Sequence, residues 1–510
     1  MFRKVLVANR GEIALRIIRA CHELGIAAVA VYSDADARAP HVREADEAVN
    51  VGSAPSAESY LRGERIIEAA KRVGAEAIHP GYGFLSEREW FARAVRDAGL
   101  VWVGPPAEAI AAMGSKTAAR QLAIGAKVPI VPGTTEPLRD AKEAREIAKR
   151  FGYPVLLKAA AGGGGKGMRV VRGETDLEPS LDAARREAKN AFGDDAVYVE
   201  KYIVGPRHVE IQVLGDHHGT MLSLNERECS VQRRHQKMIE EAPSVAVSPE
   251  TRRAMGETAV RAARAAGYTN AGTCEFLLDA EGKFYFLEMN TRLQVEHPVT
   301  ELVTGIDLVQ WQLRIAANEK LPFKQEDIVP RGWAIECRIT SEDPANNFLP
   351  STGKVDYLHV PTGPGVRWDS GIEYGSDVTL FYDPMLAKLI VWAPTREAAI
   401  TRMHRALLEL TIQGVDTSRD FHIRVMEDDD FKRGAIEIQW LERRLPSLLS
   451  AKPASDVRDV AAIAAALLAD RERHVPSRSP SPSAAAASPP APSDGYAEAW
   501  ARAGRLDSLR

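Results

Sequence analysis

The fifteen residues from Lys283 to His297 read KFYFLEMNTRLQVEH and put Glu288, Asn290, Arg292, Gln294 and Glu296 at alternate positions. Successive side chains of an extended chain point to opposite faces. The spacing therefore predicts five polar groups on one face and Leu287, Met289, Thr291, Leu293 and Val295 on the other. Just before lies TCEFLLDAEG, so two strand-like runs flank Asp279-Ala280-Glu281-Gly282, the composition of a hairpin turn. With Asp279 opposite Gly282, Glu275 faces Phe286 and shares a face with Glu288 and Asn290. Two carboxylates and an amide oxygen on one face repel each other unless a cation lies between them. Hard oxygen donors of this kind suit Mg²⁺ that also touches phosphate. A solvated amphipathic strand is the alternative, but Arg292 and Glu296 beside the acids favour a site.

Four other stretches carry residue types that could do chemistry. Tyr153–Lys158 and Arg169–Arg172 read as strands around AAAGGGGKGM, whose free N–H groups could wrap a phosphate chain. This is not a Walker A loop, because Gly167 follows Lys166 where Ser or Thr is required. A flexible linker is the alternative. Met113-Gly114-Ser115-Lys116 opens a helix with a cation in its first turn, which the macrodipole disfavours; Lys116 either has a ligand there or is a surface lysine. His79-Pro80-Gly81-Tyr82-Gly83-Phe84-Leu85-Ser86-Glu87 follows a strand, where α/β proteins place ligands, and reads equally as a Gly/Pro-rich loop. Glu226–Lys237, ERECSVQRRHQK, sets Gln232, His235 and Lys237 two or three apart, in a site or in a solvated basic loop.

These stretches need a scaffold. Lys4–Ala8, Ala27–Tyr32 and Ala75–His79 read as strands alternating with helical patterns at Gly11–Leu24 and Tyr60–Val73, which predicts a parallel doubly wound sheet. The turn ANRGE after the first strand lacks the glycine spacing of a dinucleotide site. Tyr198–Tyr202, the alternating HVEIQVL of His208–Leu214, and Arg331–Thr340 read as further strands, and Arg396–Leu410 as a helix. Past Leu445, Asp456–Leu468 has one apolar helical stripe, Val475–Ser493 is a Pro/Ser/Ala-rich linker, and Tyr496–Ala503 is a short helix. At 510 residues, 45% hydrophobic and 27% charged, the chain has the composition of a soluble globular protein of several domains. A net charge of −4 makes no case for nucleic acid or an anionic membrane as partner. Four scattered cysteines, the lack of a signal peptide and apolar runs too short for a membrane span together predict a cytoplasmic protein.

Taken together, VLVANRGEIA, IHPGYGFLSE, GSK, LLKAAAGGGGKGM, ERECSVQRRHQK, GTCEFL, FLEMNTRLQVEHPVTE and AIECRI strongly resemble the biotin carboxylase component of biotin-dependent carboxylases, a branch of the ATP-grasp enzymes. The resemblance runs from about residue 2 to 446. It implies an α/β and α+β architecture: an N-terminal doubly wound domain (1–114), an ATP-grasp fold (115–330) with a mobile lid at about 131–204, and a mixed C-terminal biotin carboxylase domain (331–446). A helical and Pro/Ser/Ala-rich tail (447–510) follows.

The resemblance also implies roles. Lys116 and Lys158 contact ATP phosphates under a lid formed by Gly162, Gly163, Gly164 and Gly165. Glu200, Lys201 and Ile203 lie at the adenine, and His208, Gln232 and His235 belong to the ATP site. Glu275, Glu288 and Asn290 hold two Mg²⁺ ions, which Mn²⁺ can replace. Lys237, Arg292, Gln294 and the Val295 backbone surround bicarbonate, Glu296 is the general base, Arg338 stabilises the biotin enolate, and Tyr82 lies where biotin enters. Glu296 among Lys237, Arg292 and Arg338 is expected to have a low pKa. Bicarbonate, ATP and biotin carried by another chain are then the reactants, carboxyphosphate the intermediate, and N1′-carboxybiotin, ADP and phosphate the products. The expected partners are a biotin carboxyl carrier protein and carboxyltransferase subunits. The acceptor (acetyl-CoA, propionyl-CoA, another acyl-CoA or pyruvate) is chosen by that transferase.

None of the ten methionines is followed by lysine, the pattern that carries biotin in carboxylases bearing their own carrier, so a separate carrier is expected. Two departures from the family pattern are Arg88, commonly Asn, and Pro364, where relatives often have an aromatic linked to subunit contact. Arg19 and Glu23 remain for a homodimer. Two other readings compete. Another ATP-grasp ligase of the carbamoyl-phosphate or purine-pathway kind would share the lid and metal acids but lack RLQVEH and HPGYGF. A non-catalytic ATP-binding subunit would be favoured by loss of Glu296, Arg338 or Lys237, all of which are present.

Overall fold

A computed structural model describes residues 1–450 except 135, 160–167 and 193–194, together with 460 and 462–467; the side chains of 116, 117, 191 and 192 are not among the described ones. The polyglycine segment therefore lies outside the described residues, as does most of the tail. By internal contacts the chain divides into a unit at 1–450 and a second at 451–510. In the latter, Val460 and residues 462–467 are helical and expose Val460, Ile463 and Leu467. No helix among the described residues is long and apolar enough to cross a membrane. All four cysteines are free and buried.

The N-terminal strands form the parallel sheet that the βαβ alternation predicts. Lys4–Val7 lies between Ala27–Ser33 and Ala77–His79, with Glu47–Gly52 and Val101–Trp102 at the edges. The helix Gly11–Glu23 packs Ile13, Ile17 and Ile18 on this sheet, the one-sided spacing of an amphipathic helix. Its first turn meets the C-terminal part of the chain so closely that a Cβ on Gly371 would stand 2.8 Å from the backbone nitrogen of Glu12. Only glycine fits there.

A three-stranded antiparallel sheet, Met168–Val171, Val155–Ala159 and Val197–Lys201, flanks the undescribed glycine segment. The largest element is an eight-stranded antiparallel sheet. It runs Phe284–Asn290, Asn270–Leu278, Arg207–Gly215, Met221–Arg233, Gln236–Ala242, Trp333–Thr340, Met385–Ala393 and Val366–Ser370. It is continuous across residue 330.

Two local expectations about the polar run need correction. The hairpin turn is one residue longer than expected: Asp279 N–H bonds to the Lys283 carbonyl, and Leu278 pairs with Phe284. The Asp279 carboxylate accepts from the N–H groups of Glu281 and Lys283 and enlarges the loop, which closes at Gly282 with φ +79°. A bulge between Glu275 and Phe276 then shifts the register again, so Glu275 lies opposite Glu288 and not Phe286. The bulge also leaves neighbouring Leu287 and Glu288 both exposed, which breaks the strict alternation. Second, the strand ends at Asn290. Residues 291–296 form a loop that leads into the helix His297–Thr304, so the five polar groups do not share one pleated face.

Candidate active site

The sheet register brings the acids together. Glu288, Glu275, Glu210 and Arg227 lie in one row across four adjacent strands: Glu275 pairs with Glu288 on one side and with Glu210 on the other, and Glu210 pairs with Arg227. Like charges directly opposite one another destabilise a sheet, and Glu210 and Glu275 are both buried. Cations set among them offset this. Lys237 Nζ reaches Glu210 Oε2 at 2.6 Å, Glu275 Oε1 at 2.9 Å and Glu296 Oε1 at 2.7 Å. Arg227 bonds to Glu210 Oε1 at 2.5 Å. His208 Nε2 lies 3.3 Å from Glu275 Oε2.

Glu296 caps the site from the loop. Its second oxygen lies 3.0 Å from Arg338 Nη2, and Arg338 is held through Nε, at 2.6 Å, by Glu240 on the neighbouring strand. Burial works to raise the Glu296 carboxyl, but Lys237, Arg338 and Arg227 hold it down at about 2. The expected low pKa is present, but its chief cations are Lys237, Arg338 and Arg227, with Arg227 in the place expected of Arg292. The same competition keeps Glu275 well below the usual carboxylate range. Burial would strip the proton from His208, yet the charge of Glu275 raises it to about 9, so its ring adds positive charge at neutral pH. Behind Arg338 the balance reverses. Burial pushes Glu240 up to about 7 and its cross-strand neighbour Glu336 well above the usual range.

Arg292 does not reach Glu296 by a direct bond. Its Nε donates to Glu87 Oε2 at 3.0 Å, and Glu87 also accepts the Thr291 N–H at 3.2 Å. Glu87 comes from the HPGYGFLSE loop, which is therefore more than a connection. The buried Asn9 at the end of the first strand fixes that loop by donating to the carbonyls of Pro80 and Tyr82, both at 2.7 Å. Tyr82 Oη is buried with no hydrogen-bond partner in the structure, and Lys388 Nζ lies 5.8 Å from its ring centre. Lys388, fully buried, donates to the Val295 carbonyl at 2.9 Å and lies 3.2 Å from Glu12 of the N-terminal helix.

ERECSVQRRHQK is not a solvated basic loop. Up to Arg233 it belongs to the strand Met221–Arg233, Gln236 and Lys237 open the next strand, and only Arg234 and His235 form the turn, with φ of +50° and +65°. Gln232 is buried and donates to the Cys229 carbonyl at 2.8 Å, while His235 is exposed at the tip.

The remaining candidates group elsewhere. Lys158 and Glu200 pair at 2.5 Å with Arg120 beside them, Lys201 Nζ donates to the Gly152 carbonyl at 2.8 Å, and Ile203 is half-buried nearby in sequence. Ser115 caps the helix that begins at Lys116 by accepting from the Ala118 N–H at 3.4 Å.

Arg227, Glu210, Glu240 and Lys388 are not among the sequence-derived candidates. A signal for Glu210 was present: His208, Glu210 and Gln212 alternate in HVEIQVL just as Glu288 and Asn290 do. Here both faces of the strand are buried, and alternation alone does not show that.

Residues 1–110 match the family model described as biotin carboxylase, N-terminal domain. Residues 115–324 match the carbamoyl-phosphate synthase L chain ATP-binding domain, and residues 336–443 the biotin carboxylase C-terminal domain. The chain is 54% identical to biotin carboxylase of Haemophilus influenzae over 446 residues, 87% of this chain and 99% of that protein. It is 50% identical to mouse mitochondrial methylcrotonoyl-CoA carboxylase subunit alpha over 88% of this chain, but spans only 62% of that protein's length. The biotin carboxylase domain dimer of Hydrogenobacter thermophilus 2-oxoglutarate carboxylase, solved with MgADP, ADP and bicarbonate, superposes with a TM-score of 0.81 at 49% identity, over 89% of this chain and 100% of that one. On this evidence the chain belongs to the biotin carboxylase family.

Proposed function

We propose that the site uses ATP and bicarbonate to carboxylate biotin at N1′, with carboxyphosphate as the intermediate. The observation that carries this reading is Glu296: a buried, ionised carboxylate held between Lys237 and Arg338. Bicarbonate is a poor nucleophile until it loses a proton, and a carboxylate at its side can take one. In our assignment Lys237, Arg292, Gln294 and the Val295 backbone hold the bicarbonate and Glu296 is the base. Arg338 faces the ureido oxygen of biotin, where a guanidinium suits a developing enolate. Tyr82 lines the biotin entrance. Lys116, Lys158, Gly162–Gly165, Glu200, Lys201, Ile203, His208, Gln232 and His235 form the ATP site.

The donor set fits Mg²⁺. Glu275 and Glu288 lie directly opposite across two strands, and Asn290 donates its NH₂ to Glu275 at 2.8 Å while its carbonyl oxygen accepts a long 3.4 Å bond from Arg292 Nη2. These three residues would hold the metal, which when bound neutralises charge on the transferring phosphoryl group. The chain's own residues orient the reactants, and a closed lid would keep water from carboxyphosphate.

The four-part division at residues 114, 330 and 446 belongs to the same reading, as do a homodimer, a biotin carrier and carboxyltransferase on other polypeptides, and a cytoplasmic setting. The H. thermophilus relative is itself a domain dimer. The test is ATP hydrolysis by the purified protein. Hydrolysis should require bicarbonate and rise with free biotin. Hydrolysis driven by ammonia or an amino acid, with none in bicarbonate, would overturn the assignment in favour of another ATP-grasp ligase.

A further inference from the structure

Arg227 is fully buried, yet its guanidinium meets five side chains. Nε donates to Glu210 Oε1 at 2.5 Å. Nη1 donates to Gln212 Oε1 at 2.7 Å and Thr300 Oγ1 at 3.0 Å, and Nη2 to Thr273 Oγ1 at 3.0 Å and Gln294 Oε1 at 2.8 Å. These partners come from two strands, the helix His297–Thr304 and the loop before it. No atom of Arg227 is exposed, so it does not touch a substrate. We propose that Arg227 is the positioning residue that sets the polarity of the bicarbonate subsite, an inference that rests on the assignment of Gln294 to that subsite.

Donors and acceptors decide the orientation of the amide. A guanidinium offers five N–H donors and no acceptor. Whatever atom of Gln294 faces Arg227 must therefore be its oxygen, and the NH₂ must turn the other way. It does so, donating to Glu275 Oε1 at 3.0 Å, and in the bicarbonate assignment the second N–H of the same NH₂ is the donor offered to the anion. The same logic orients Gln212, whose NH₂ donates to the Gly272 carbonyl at 2.9 Å. By taking Oε1 of Glu210, Arg227 also leaves Oε2 for Lys237. Without the guanidinium only the Glu275 contact holds the Gln294 amide, and its oxygen is less firmly kept from an incoming anion, which would repel it.

The test combines variants with steady-state kinetics for each substrate. Arg227→Lys keeps a charge for Glu210 but cannot reach Gln294 and Glu210 together. It should raise the KM for bicarbonate about tenfold, the cost of one well-placed hydrogen bond, while the KM for ATP changes less than about twofold. Gln294→Ala alone should raise the bicarbonate KM similarly. In the Arg227→Lys background it should add little, because the amide is already misoriented. If Arg227→Lys does not fold, Thr273→Val with Thr300→Val serves instead. This isosteric pair removes two neutral anchors of the guanidinium and should raise the bicarbonate KM severalfold at unchanged ATP KM. No effect of Gln294→Ala would overturn the subsite assignment itself. A full effect of Gln294→Ala, combined with additive losses in the double variant, equal rises in both KM values, or a wild-type bicarbonate KM in the threonine pair, would overturn the role of Arg227 alone.

Discussion

Replacing Lys237 by methionine isolates the energetics of the acid row. Methionine keeps most of the aliphatic bulk but removes the one cation that touches Glu210, Glu275 and Glu296 at 2.6, 2.9 and 2.7 Å. Removing one partner of a buried ion pair costs about 3–5 kcal/mol. Each acid keeps a second partner: Arg227 for Glu210, Arg338 for Glu296, and Gln294 and Asn290 for Glu275. The lower end, about 3 kcal/mol at pH 7.5, is therefore expected.

The pH dependence identifies the cause. In the wild type these carboxyls are depressed, Glu296 to about 2, so folded and unfolded states are both ionised above pH 5.5 and the three acids add no slope there. In the variant burial prevails and the folded pKa of at least one acid rises. The folded state then holds a proton that the unfolded state has released, so stability falls as pH rises, by about 1.4 kcal/mol per unit for one proton. The deficit should shrink from about 3 kcal/mol at pH 7.5 to below about 1 kcal/mol at pH 5.5. Equilibrium urea unfolding of both proteins at four pH values measures it. Parallel stability profiles, or a deficit under about 1 kcal/mol at pH 7.5, would refute the view that Lys237 neutralises the row.

Three further outcomes follow from the assignment. Glu296→Ala should abolish biotin carboxylation while isothermal titration still finds ATP binding; near-normal turnover would remove Glu296 as the base. Gly164→Val and Gly165→Val should raise the KM for ATP, because on the assignment of this segment as the ATP lid a bulky side chain would hinder its closure on phosphate; an unchanged KM would make the segment a linker only. Deletion of residues 475–510 should leave carboxylation of free biotin intact but weaken carboxylation of a carrier protein if Tyr496 and Trp500 anchor a partner; equal rates on both substrates would exclude that docking, and avidin staining of the full-length chain would contradict a separate carrier.

Strands and helices whose apolar residues follow a local period could be read directly from the sequence. Gly11–Glu23 shows its apolar stripe, and the N-terminal strands alternate with helices as a parallel sheet requires. The polar run could be read as chemistry but not as geometry. Its strand stops at Asn290 because the Thr291 N–H goes to Glu87, 204 residues earlier, and not to a sheet neighbour. No local pattern carries a contact of that range. The hairpin register was missed for a nearer reason, since one aspartate side chain bonding two backbone N–H groups moved the pairing by a residue. The buried cations were missed because charge in a sequence normally signals solvent. Arg227 sits in ERECSVQRR among mostly polar residues, and its burial is explained by partners distant in sequence, the cross-strand Glu210 first among them.

The row also explains how a weak acid's conjugate base can serve as the proposed catalyst. A carboxylate with a pKa of about 2 has little proton affinity, and that value is set chiefly by Lys237, with Arg338 and Arg227 also lowering it. Two of these, Lys237 and Arg338, are the residues assigned to bicarbonate and biotin. An anion bound between Lys237, Arg292 and Gln294 shares the ammonium with Glu296, and an enolate facing Arg338 shares the guanidinium. Each substrate thus weakens the field that holds Glu296 ionised, and like charge beside it adds to the effect. Arg227 alone does not respond, because all its donors are bound within the protein. On this assignment the base gains proton affinity when the reactants are in place, while one buried guanidinium keeps the donors around it fixed.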